Sequence, residues 1–385
     1  MLLLRSVLFA LLPLAPLLAR TGGNPNVDIS KASSDGPHVF YRGRNIVVKS
    51  IERQDTANVV RVQYHTKRDG LKLTCTVPET GDKFSFPLRH NLRVEKDRFD
   101  PTDRMLVLSD IEGNFEAFKI ILKNAGVVND QFQWTYGPNR LVLVGDFFDR
   151  GLHVTEVLWL IYKLEAEAEA AGGKVHFLLG NHEALNLCGE YGYVRNKYIE
   201  NAQLIGEDYG LWFDNNSELG RWLRTKNAVE KIGDLVFCHG GISPELANST
   251  LSLSDINEIA RAYIGTPYNK MTDSLAQFVF NPNFGILWFR GASKNKISTQ
   301  DMDSALKFVG AQRIVVGHTL VPDITALYDG RLICIDLLHD ENLRIGVLKT
   351  LLIENGAMYN LHSTGQKNSV VTVKFTGREN AGGGQ

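Results

Sequence analysis

Five side chains with oxygen or nitrogen donors each follow a short apolar segment of the chain. They are Asp110, Asp146, Asn181, His239 and His318. One polar residue at the end of a strand is usually a capping or core residue, but five in the same kind of position need a common explanation. Such donors bind divalent metal ions, and a carboxylate can bridge two ions about 3.5 to 4 Å apart. The pattern therefore predicts a two-metal centre with Asp146, central in the set, as the bridging ligand.

The apolar segments before these donors are typical of strands that are buried on both faces. They cover residues 105–108, 141–144, 175–179, 235–238 and 314–316. Apolar residues at helical spacing follow the first segment, over residues 114–125. Alternating buried strands and helices predict an α/β fold, in which functional side chains collect beyond the carboxyl ends of the strands. We therefore expect the five donors to meet in one crevice.

The sequence also predicts five consecutive segments of different character. The apolar stretch behind Arg5 matches a secretory signal peptide, which predicts a secreted or periplasmic protein without stable membrane insertion once the signal is removed. An uncleaved membrane anchor is the alternative. The β-branched stretches before residue 100 predict a small module that is structural or a docking surface. The predicted boundaries are a signal peptide at 1–20, an irregular lead-in at 21–38, the β module at 39–100, a catalytic domain at 101–376 and a disordered tail at 377–385.

The composition is that of an ordinary globular protein. Of the 385 residues, 44% are hydrophobic and 22% are charged, which excludes disorder as the main state. The 42 Lys and Arg residues are scattered and are balanced by 43 Asp and Glu residues, so a nucleic-acid partner is not expected. The four cysteines form no C-x-x-C pair, and we expect no catalytic cysteine. Disulfide pairing and oligomeric state are left open by the sequence.

The segments around the five donors resemble the ordered motifs of the calcineurin-like metallophosphoesterases. They are SDIEGN at 109–114, GDFFDRG at 145–151, GNHE at 180–183, HGG at 239–241 and GHT at 317–319. The second and third motifs look like the phosphoprotein phosphatase branch, and the residues at 184–187 and 288–291 are similar to the Shewanella-like bacterial-type phosphatases. This resemblance spans residues 104–350 and implies two stacked β-sheets flanked by helices.

The same resemblance implies a role for each motif residue. The implied ligands are Asp110, Glu112 and Asp146 for the first ion, and Asp146, Asn181, His239 and His318 for the second. The two ions would share a hydroxide that attacks phosphorus directly. His182, oriented by Asp149, would protonate the leaving group. Arg150 and Arg290 would bind the phosphoryl oxygens, because a guanidinium donates two parallel hydrogen bonds to a phosphate.

Glu112 departs from the family pattern, which has a histidine at this position. Because a carboxylate is a harder ligand than an imidazole, the change favours Mn²⁺, Mg²⁺ or Ca²⁺ over iron or zinc at the first position. We expect two divalent ions, with Mn²⁺ favoured and iron, zinc, magnesium or calcium as other candidates. The alternative is that Glu112 turns away and leaves the first position weak or empty.

The sequence thus predicts a metal-dependent phosphomonoesterase that acts on phosphoproteins or small phosphoesters. Both phosphotyrosine and phosphoserine or phosphothreonine are candidate phosphoresidues. Two alternatives are a nucleotide or phosphodiester hydrolase of the same fold and a non-catalytic phosphate-binding protein, the latter suggested by Glu112. Aromatic side chains between residues 184 and 232 are candidate walls of the cleft and could stack on a phosphotyrosine ring, although aromatics are also ordinary core residues. They are Tyr191, Tyr193, Tyr198, Tyr209, Trp212, Phe213 and Trp222.

Overall fold

The computed structural model describes residues 33–68, 70–89 and 91–373. The predicted signal peptide and the predicted disordered tail lie outside these residues. Across the described ranges, every helix is too short or too polar to cross a lipid bilayer.

Two small antiparallel sheets form the N-terminal part of the described chain. One is a three-stranded sheet of β1 (Asp35–Arg42), β2 (Asn45–Gln54) and β3 (Ala57–His65), and the other is a hairpin of β4 (Lys72–Thr76) and β5 (Lys83–Pro87). The last four residues of the predicted irregular lead-in therefore belong to a strand. The sequence pattern missed them because Asp35 and His38 are polar yet buried. Asn201 donates a hydrogen bond of 2.9 Å to the Asp35 carboxylate, and the His38 ring lies 3.6 Å from that of Trp212.

The central part of the molecule consists of two larger sheets. The six-stranded sheet has the order β17-β16-β15-β7-β8-β9, and the seven-stranded sheet has the order β18-β13-β14-β12-β11-β10-β6. β6 lies just before the predicted start of the catalytic domain, yet it already pairs with β10. The strands are β6 (Arg98–Phe99), β7 (Arg104–Leu108), β8 (Arg140–Val144), β9 (Lys174–Leu178), β10 (Val229–Ile232), β11 (Leu235–Cys238), β12 (Arg313–Val316), β13 (Thr325–Leu327), β14 (Leu332–Cys334), β15 (Lys349–Glu354), β16 (Ala357–His362), β17 (Lys367–Ser369) and β18 (Val371–Thr372).

The two large sheets pack face to face. Val107 and Val142 of the first sheet share one apolar cluster with Phe237, Val315 and Ile333 of the second. Side chains that alternate with these along the strands, such as those on the opposite faces of β7 and β8, belong to a second cluster that includes the helices. Burial on both faces explains why the strands read as continuous apolar runs. The predicted α/β fold with two stacked sheets flanked by helices is confirmed.

Helices cover the outer faces of the two sheets. The predicted helix over residues 114–125 is confirmed as α1, and Asn114 caps its start by accepting a hydrogen bond of 2.9 Å from the backbone N–H of Ala117. The helices are α1 (Phe115–Asn124), α2 (Val154–Ala170), α3 (Asn181–Cys188), α4 (Asn196–Leu204), α5 (Glu218–Leu223), α6 (Pro244–Ala247), α7 (Leu253–Tyr263), α8 (Ser274–Val279), α9 (Thr299–Val309) and α10 (His339–Arg344), with 3₁₀ turns at Tyr209–Phe213 and Tyr268–Lys270.

The N-terminal strands pack on α2 and share its core. Phe86 of β5 stacks on Trp159 of α2 with ring centroids 4.8 Å apart. The indole N–H of Trp159 donates a hydrogen bond of 2.7 Å to the carbonyl of Pro37 in β1. The predicted β module is therefore joined to the catalytic part by a continuous buried core.

Within each large sheet, parallel pairing brings the carboxyl ends of three strands to one end of that sheet, and the loops of the two sheets meet where His318 donates a hydrogen bond to Asp110 and His239 contacts Asp146. In one sheet β7, β8 and β9 are parallel neighbours, with Leu108 opposite Leu143 and Val144 opposite Leu178. In the other sheet β11, β12 and β14 are parallel neighbours. The loops that follow these strands carry the predicted metal ligands.

Candidate functional site

The backbone at the ends of these strands adopts an unusual conformation. Six of the predicted site residues have φ between 49° and 71°, in the left-handed region that residues other than glycine rarely adopt. Each such residue costs about 1 to 3 kcal/mol and persists only where its surroundings hold it in place. Such residues concentrate at functional sites. They are Asp110, Glu112, Asp146, Asp149, Arg150 and His318. The loops thus aim these side chains in directions that an ordinary strand or helix would not provide.

Glu183 ties the loops of Asp146 and Asn181 together. Its carboxylate accepts hydrogen bonds from the backbone N–H groups of Asp146 at 2.9 Å, Phe147 at 2.8 Å and Gly180 at 2.6 Å. A Cβ atom on Gly180 would overlap the Asp146 carboxylate, so only glycine allows this close approach. The sequence alone did not reveal this role of Glu183, because a bond to backbone N–H groups of a distant loop leaves no pattern in the sequence.

The predicted ligands of the second ion come together in the structure. Ligand atoms of Asp146, His239 and His318 lie within 4.8 Å of one another, the one such group of three among the described residues. The Nε2 atom of His239 lies 2.9 Å from Oδ2 of Asp146 and 3.0 Å from Oδ1 of Asn181. All four side chains are buried. Two imidazoles, a carboxylate and an amide oxygen that converge in this way fit a divalent transition metal ion.

Backbone carbonyls orient both imidazoles of this cluster. Nδ1 of His239 donates to the carbonyl of Val144 at 2.7 Å, which directs Nε2 to the cluster. Nε2 of His318 donates to the carbonyl of Trp288 at 3.0 Å, which leaves the lone pair of Nδ1 for a metal ion, and the Arg290 guanidinium lies 3.3 Å from that Nδ1. Burial opposes a charge on His239, but the carboxylate of Asp146 outweighs it and raises the pKa of His239 to about 10. The proton on His239 thus balances the negative charge of Asp146, a role that a bound metal ion would take over.

The predicted ligands of the first ion are less closely assembled. Asp110 is buried, and its Oδ2 atom accepts a hydrogen bond of 3.2 Å from the backbone N–H of His318. The Glu112 carboxylate forms an ion pair with the guanidinium of Arg150, and 23% of the Glu112 side chain is exposed. Glu112 therefore lies against a phosphate-binding candidate rather than within the cluster of Asp146. Metal binding by Glu112 stays a prediction.

His182 has the surroundings of a proton donor. Its Nδ1 atom lies 2.6 Å from Oδ2 of Asp149, whose other oxygen accepts a hydrogen bond of 2.9 Å from Asn186. The hydroxyl of Tyr209 in turn donates to Asn186 at 2.8 Å. Burial disfavours the charged ring, but the hydrogen bond to Asp149 and the charge of Asp146 outweigh burial and raise the pKa of His182 above its ordinary value. The protonated form that a general acid requires is thereby favoured.

A cleft of about 610 Å³ opens above these residues. Asn181, His182 and His318 line its floor, and Arg150 and Arg290 line it as well. The guanidinium of Arg290 donates to the carbonyl of His318, which holds this arginine at the edge of the metal cluster. Lys294 and Lys296 add positive charge, whereas Glu190 is the acidic residue that lines this cavity in the described part of the chain. The charge and shape of the cleft suit a phosphate group.

One of the seven candidate aromatic residues lines this cleft. Tyr193 is 53% exposed, its ring centroid lies 4.9 Å from that of His182, and the Arg150 guanidinium lies 5.5 Å from its ring. Tyr191 is partly buried against the core. The prediction of a cleft wall is wrong for five others, which are fully buried because their rings fill the space between helices: Tyr198, Tyr209, Trp212, Phe213 and Trp222. Trp288, from the motif at 288–291, lines the cleft on another side.

Comparisons with known proteins agree with this arrangement. Residues 104–322 match a family described as calcineurin-like phosphoesterase. Shewanella-like protein phosphatase 1 of Plasmodium berghei is 29% identical over 263 residues, which cover 63% of this chain and 71% of that protein. Shewanella-like protein phosphatase 2 of Arabidopsis thaliana is 27% identical over 269 residues, which cover 58% of this chain and 68% of that protein.

A solved structure is similar over a longer stretch. The cold-active protein-tyrosine phosphatase of a psychrophilic Shewanella species superimposes with a TM-score of 0.77 at 29% identity. The match covers 88% of this chain and 100% of the other. The matched part of this chain is longer than the predicted catalytic domain at 101–376, so the structural similarity extends into the N-terminal strands.

Proposed function

We propose that this chain, which belongs to the calcineurin-like phosphoesterase family and is a metal-dependent phosphoprotein phosphatase, acts preferentially on phosphotyrosine. The position of Tyr193 carries this proposal. Its half-exposed ring stands against Arg150 and beside His182, the residue that would protonate the leaving group. A phosphotyrosine ring in the cleft could pack on it, and such aromatic pairs contribute about 0.5 to 1.5 kcal/mol beyond area burial. The similar Shewanella enzyme is a protein-tyrosine phosphatase, which supports the same substrate class.

Different side chains of the cleft have different roles in the proposed hydrolysis. Asp146, Asn181, His239 and His318 would hold a divalent ion, and such ions, when bound, supply an activated water and neutralise phosphate charge. Arg150 and Arg290 bind phosphoryl oxygens and fix the phosphate for in-line attack.

His182 then delivers a proton to the departing oxygen. Nδ1–H donates to Asp149 and fixes the ring, so that Nε2, which lies 3.8 Å from Oδ2 of Asp146, is the atom that carries the transferable proton. A tyrosine phenol has a pKa of about 10, whereas a serine alcohol is a much weaker acid, so a phosphoserine needs this proton more.

We also propose that Mn²⁺ occupies the centre. The mixed donor set of nitrogen and oxygen atoms around Asp146 accepts manganese, and the acidic first position favours a hard ion. Elemental analysis of the purified protein gives the metal content directly. Zinc or iron in place of manganese would contradict this part of the proposal.

The substrate proposal is tested with a matched panel of compounds. Peptides of one sequence with phosphotyrosine, phosphoserine or phosphothreonine are compared with nucleotides and bis-p-nitrophenyl phosphate in the presence of Mn²⁺. We expect kcat/KM to be highest for phosphotyrosine. Tyr193→Ala should lower that value about threefold to tenfold and leave phosphoserine nearly unchanged, while Tyr193→Phe should retain it. Faster turnover of phosphoserine, a diester or a nucleotide would contradict the proposal.

Export from the cytoplasm is a further proposal. It is supported by the apolar stretch 7–19 behind Arg5, which lies outside the described residues. The four cysteines are unpaired, and three of them, Cys75, Cys238 and Cys334, are buried. N-terminal sequencing of the protein recovered from the periplasm or medium tests export. A mature protein that begins near residue 20 is expected, and an intact terminus in the cytoplasm would contradict it.

A further inference from the structure

A sixth strand ends in a polar residue in the same way as the five identified from the sequence. β14 is followed by Ile335 and Asp336, and it lies parallel to β12 with Cys334 opposite Val316. The backbone N–H of Ile335 donates to the carbonyl of Val316 at 2.9 Å, so the pairing continues past the last strand residue. This register brings Asp336 level with His318. The three parallel strands β11, β12 and β14 thus deliver His239, His318 and Asp336 to one edge of the sheet.

The Asp336 side chain is nine-tenths buried beside the predicted metal ligands. It is 9% exposed, and its carboxylate accepts no hydrogen bond and forms no ion pair within the described part of the chain. The charged groups that face it are the carboxylates of Asp110 and Asp146 and the cationic groups of His239, Arg290 and Arg150. Buried carboxylates that face one another are costly unless a cation lies between them. On the side of Asp110, a divalent cation would balance both carboxylates.

Glu112 has the opposite character. Its carboxylate already has a partner, because it forms an ion pair with Arg150, and it is more exposed than Asp336. An ion pair with an arginine that faces the cleft suits the positioning of that arginine. Asp336, by contrast, faces Arg150 and Arg290 but forms no close ion pair in the described ranges.

We propose that Asp336, together with Asp110 and the shared Asp146, binds the first divalent ion, while Glu112 positions Arg150 for phosphate. This assignment rests on the metal-dependent function stated above. Asp110 and Asp336 lie outside the compact group of Asp146, His239 and His318, as expected for ligands of a separate ion that shares only Asp146 with it. The centre would then be asymmetric, with one position built from carboxylates and one rich in imidazole. Carboxylate oxygens alone select Mn²⁺ or Mg²⁺ over zinc and iron.

Metal stoichiometry tests this assignment independently of activity. Mn²⁺ is titrated by calorimetry into the metal-free full chain, and bound manganese is counted by elemental analysis. Electron paramagnetic resonance distinguishes an exchange-coupled pair of Mn²⁺ ions from a single ion. We expect two ions and a coupled signal in the unaltered protein. Asp336→Asn should weaken one of the two ions about tenfold or more and abolish the coupling, whereas Glu112→Gln should keep both.

Two further variants guard against indirect effects. Asp336→Glu retains the carboxylate and should recover part of the binding, and Asp329→Asn removes an exposed carboxylate from the β13–β14 turn and should change nothing. Two ions of unchanged affinity in Asp336→Asn would overturn the assignment, as would loss of one ion in Glu112→Gln. Failure of the phosphopeptide panel would refute the proposed substrate but would leave these metal counts intact, so the two proposals fail separately.

Discussion

Two buried groups of carboxylates in this chain are balanced by different kinds of cation. Beneath the N-terminal sheet, Asp35 and Glu156 face the ammonium group of Lys197, which is itself buried. At the strand ends, Asp110 and Asp146 face imidazoles, and no lysine is among the main charged neighbours of either carboxylate. A lysine carries its charge permanently at neutral pH, whereas an imidazole can exchange a proton for a metal ion. The first group has a cation supplied by the chain itself, and the second can take up a cation from solution.

This contrast separates a structural cluster from a functional one although both contain buried acids. Burial raises the pKa of Glu156 to about 8 against the opposing charge of Lys197, and burial also raises the pKa of Asp110. Perturbed acids are therefore present in both places. The kind of neighbouring cation, together with an open cleft lined by arginines, identifies the catalytic one.

Substitution of Asp146 should have the largest effect. Asp146→Asn removes the carboxylate on which both proposed ions depend, so we expect turnover of a phosphotyrosine peptide to fall at least about a thousandfold, or about 4 kcal/mol. Bound manganese should be lost as well, which elemental analysis checks. If the variant keeps its metal and its turnover, the cluster at the strand ends does not bind the catalytic cation.

Removal of the lysine should destabilise the other cluster without a direct effect on chemistry. Lys197→Met leaves the buried carboxylate of Asp35 without the ammonium group that faces it, which should lower the free energy of unfolding by about 3 kcal/mol. Urea unfolding measures this value, and kcat per folded molecule should be unchanged. The double variant Asp35→Asn, Lys197→Met should recover part of the loss. A lysine variant as stable as the parent would show that the N-terminal cluster does not need its own cation.

Loss of the proton donor should be intermediate in size. His182→Ala should lower kcat for phosphoserine peptides about a hundredfold, and less for phosphotyrosine, because a phenol leaves more readily without a proton. Metal content should not change, since the Nε2 atom of His182 is no predicted ligand. Equal losses for both substrates would argue against His182 as the acid.

The pH dependence of stability gives a further test of the N-terminal cluster. Burial raises the pKa of Glu156 from 4.5 to about 8. The folded state therefore holds a proton that the unfolded chain releases, so this group stabilises the fold fully below about pH 4.5 and loses the contribution as pH rises through about 8. Glu156→Gln should raise the free energy of unfolding near pH 9 and leave it unchanged near pH 4, because glutamine has no proton to lose as the pH rises. Thermal unfolding at the two pH values checks this, and a gain at both would contradict it.

The sequence predicted the catalytic core well because buried parallel strands leave a plain signal. Apolar runs such as 105–108 and 141–144 became strands, and the donors Asp146, His239 and His318 converge, with Asn181 beside His239. The run before Asp336 carries the same signal but is not among the five predicted donor positions. The ion pair of Glu112 with Arg150 joins residues that meet only through two folded loops. Burial of the aromatic residues was equally hidden, because core and cleft aromatics look alike in a sequence.

The left-handed backbone at six of the candidate site residues has a consequence for laboratory evolution of this phosphatase. Glycine would relieve the strain at Asp110, Asp146 and His318, because it has no Cβ atom. A library selected for heat resistance alone should therefore drift toward glycine at these positions. Its members would gain thermal stability and lose phosphatase activity. A screen that measures stability and activity together would be needed to retain function.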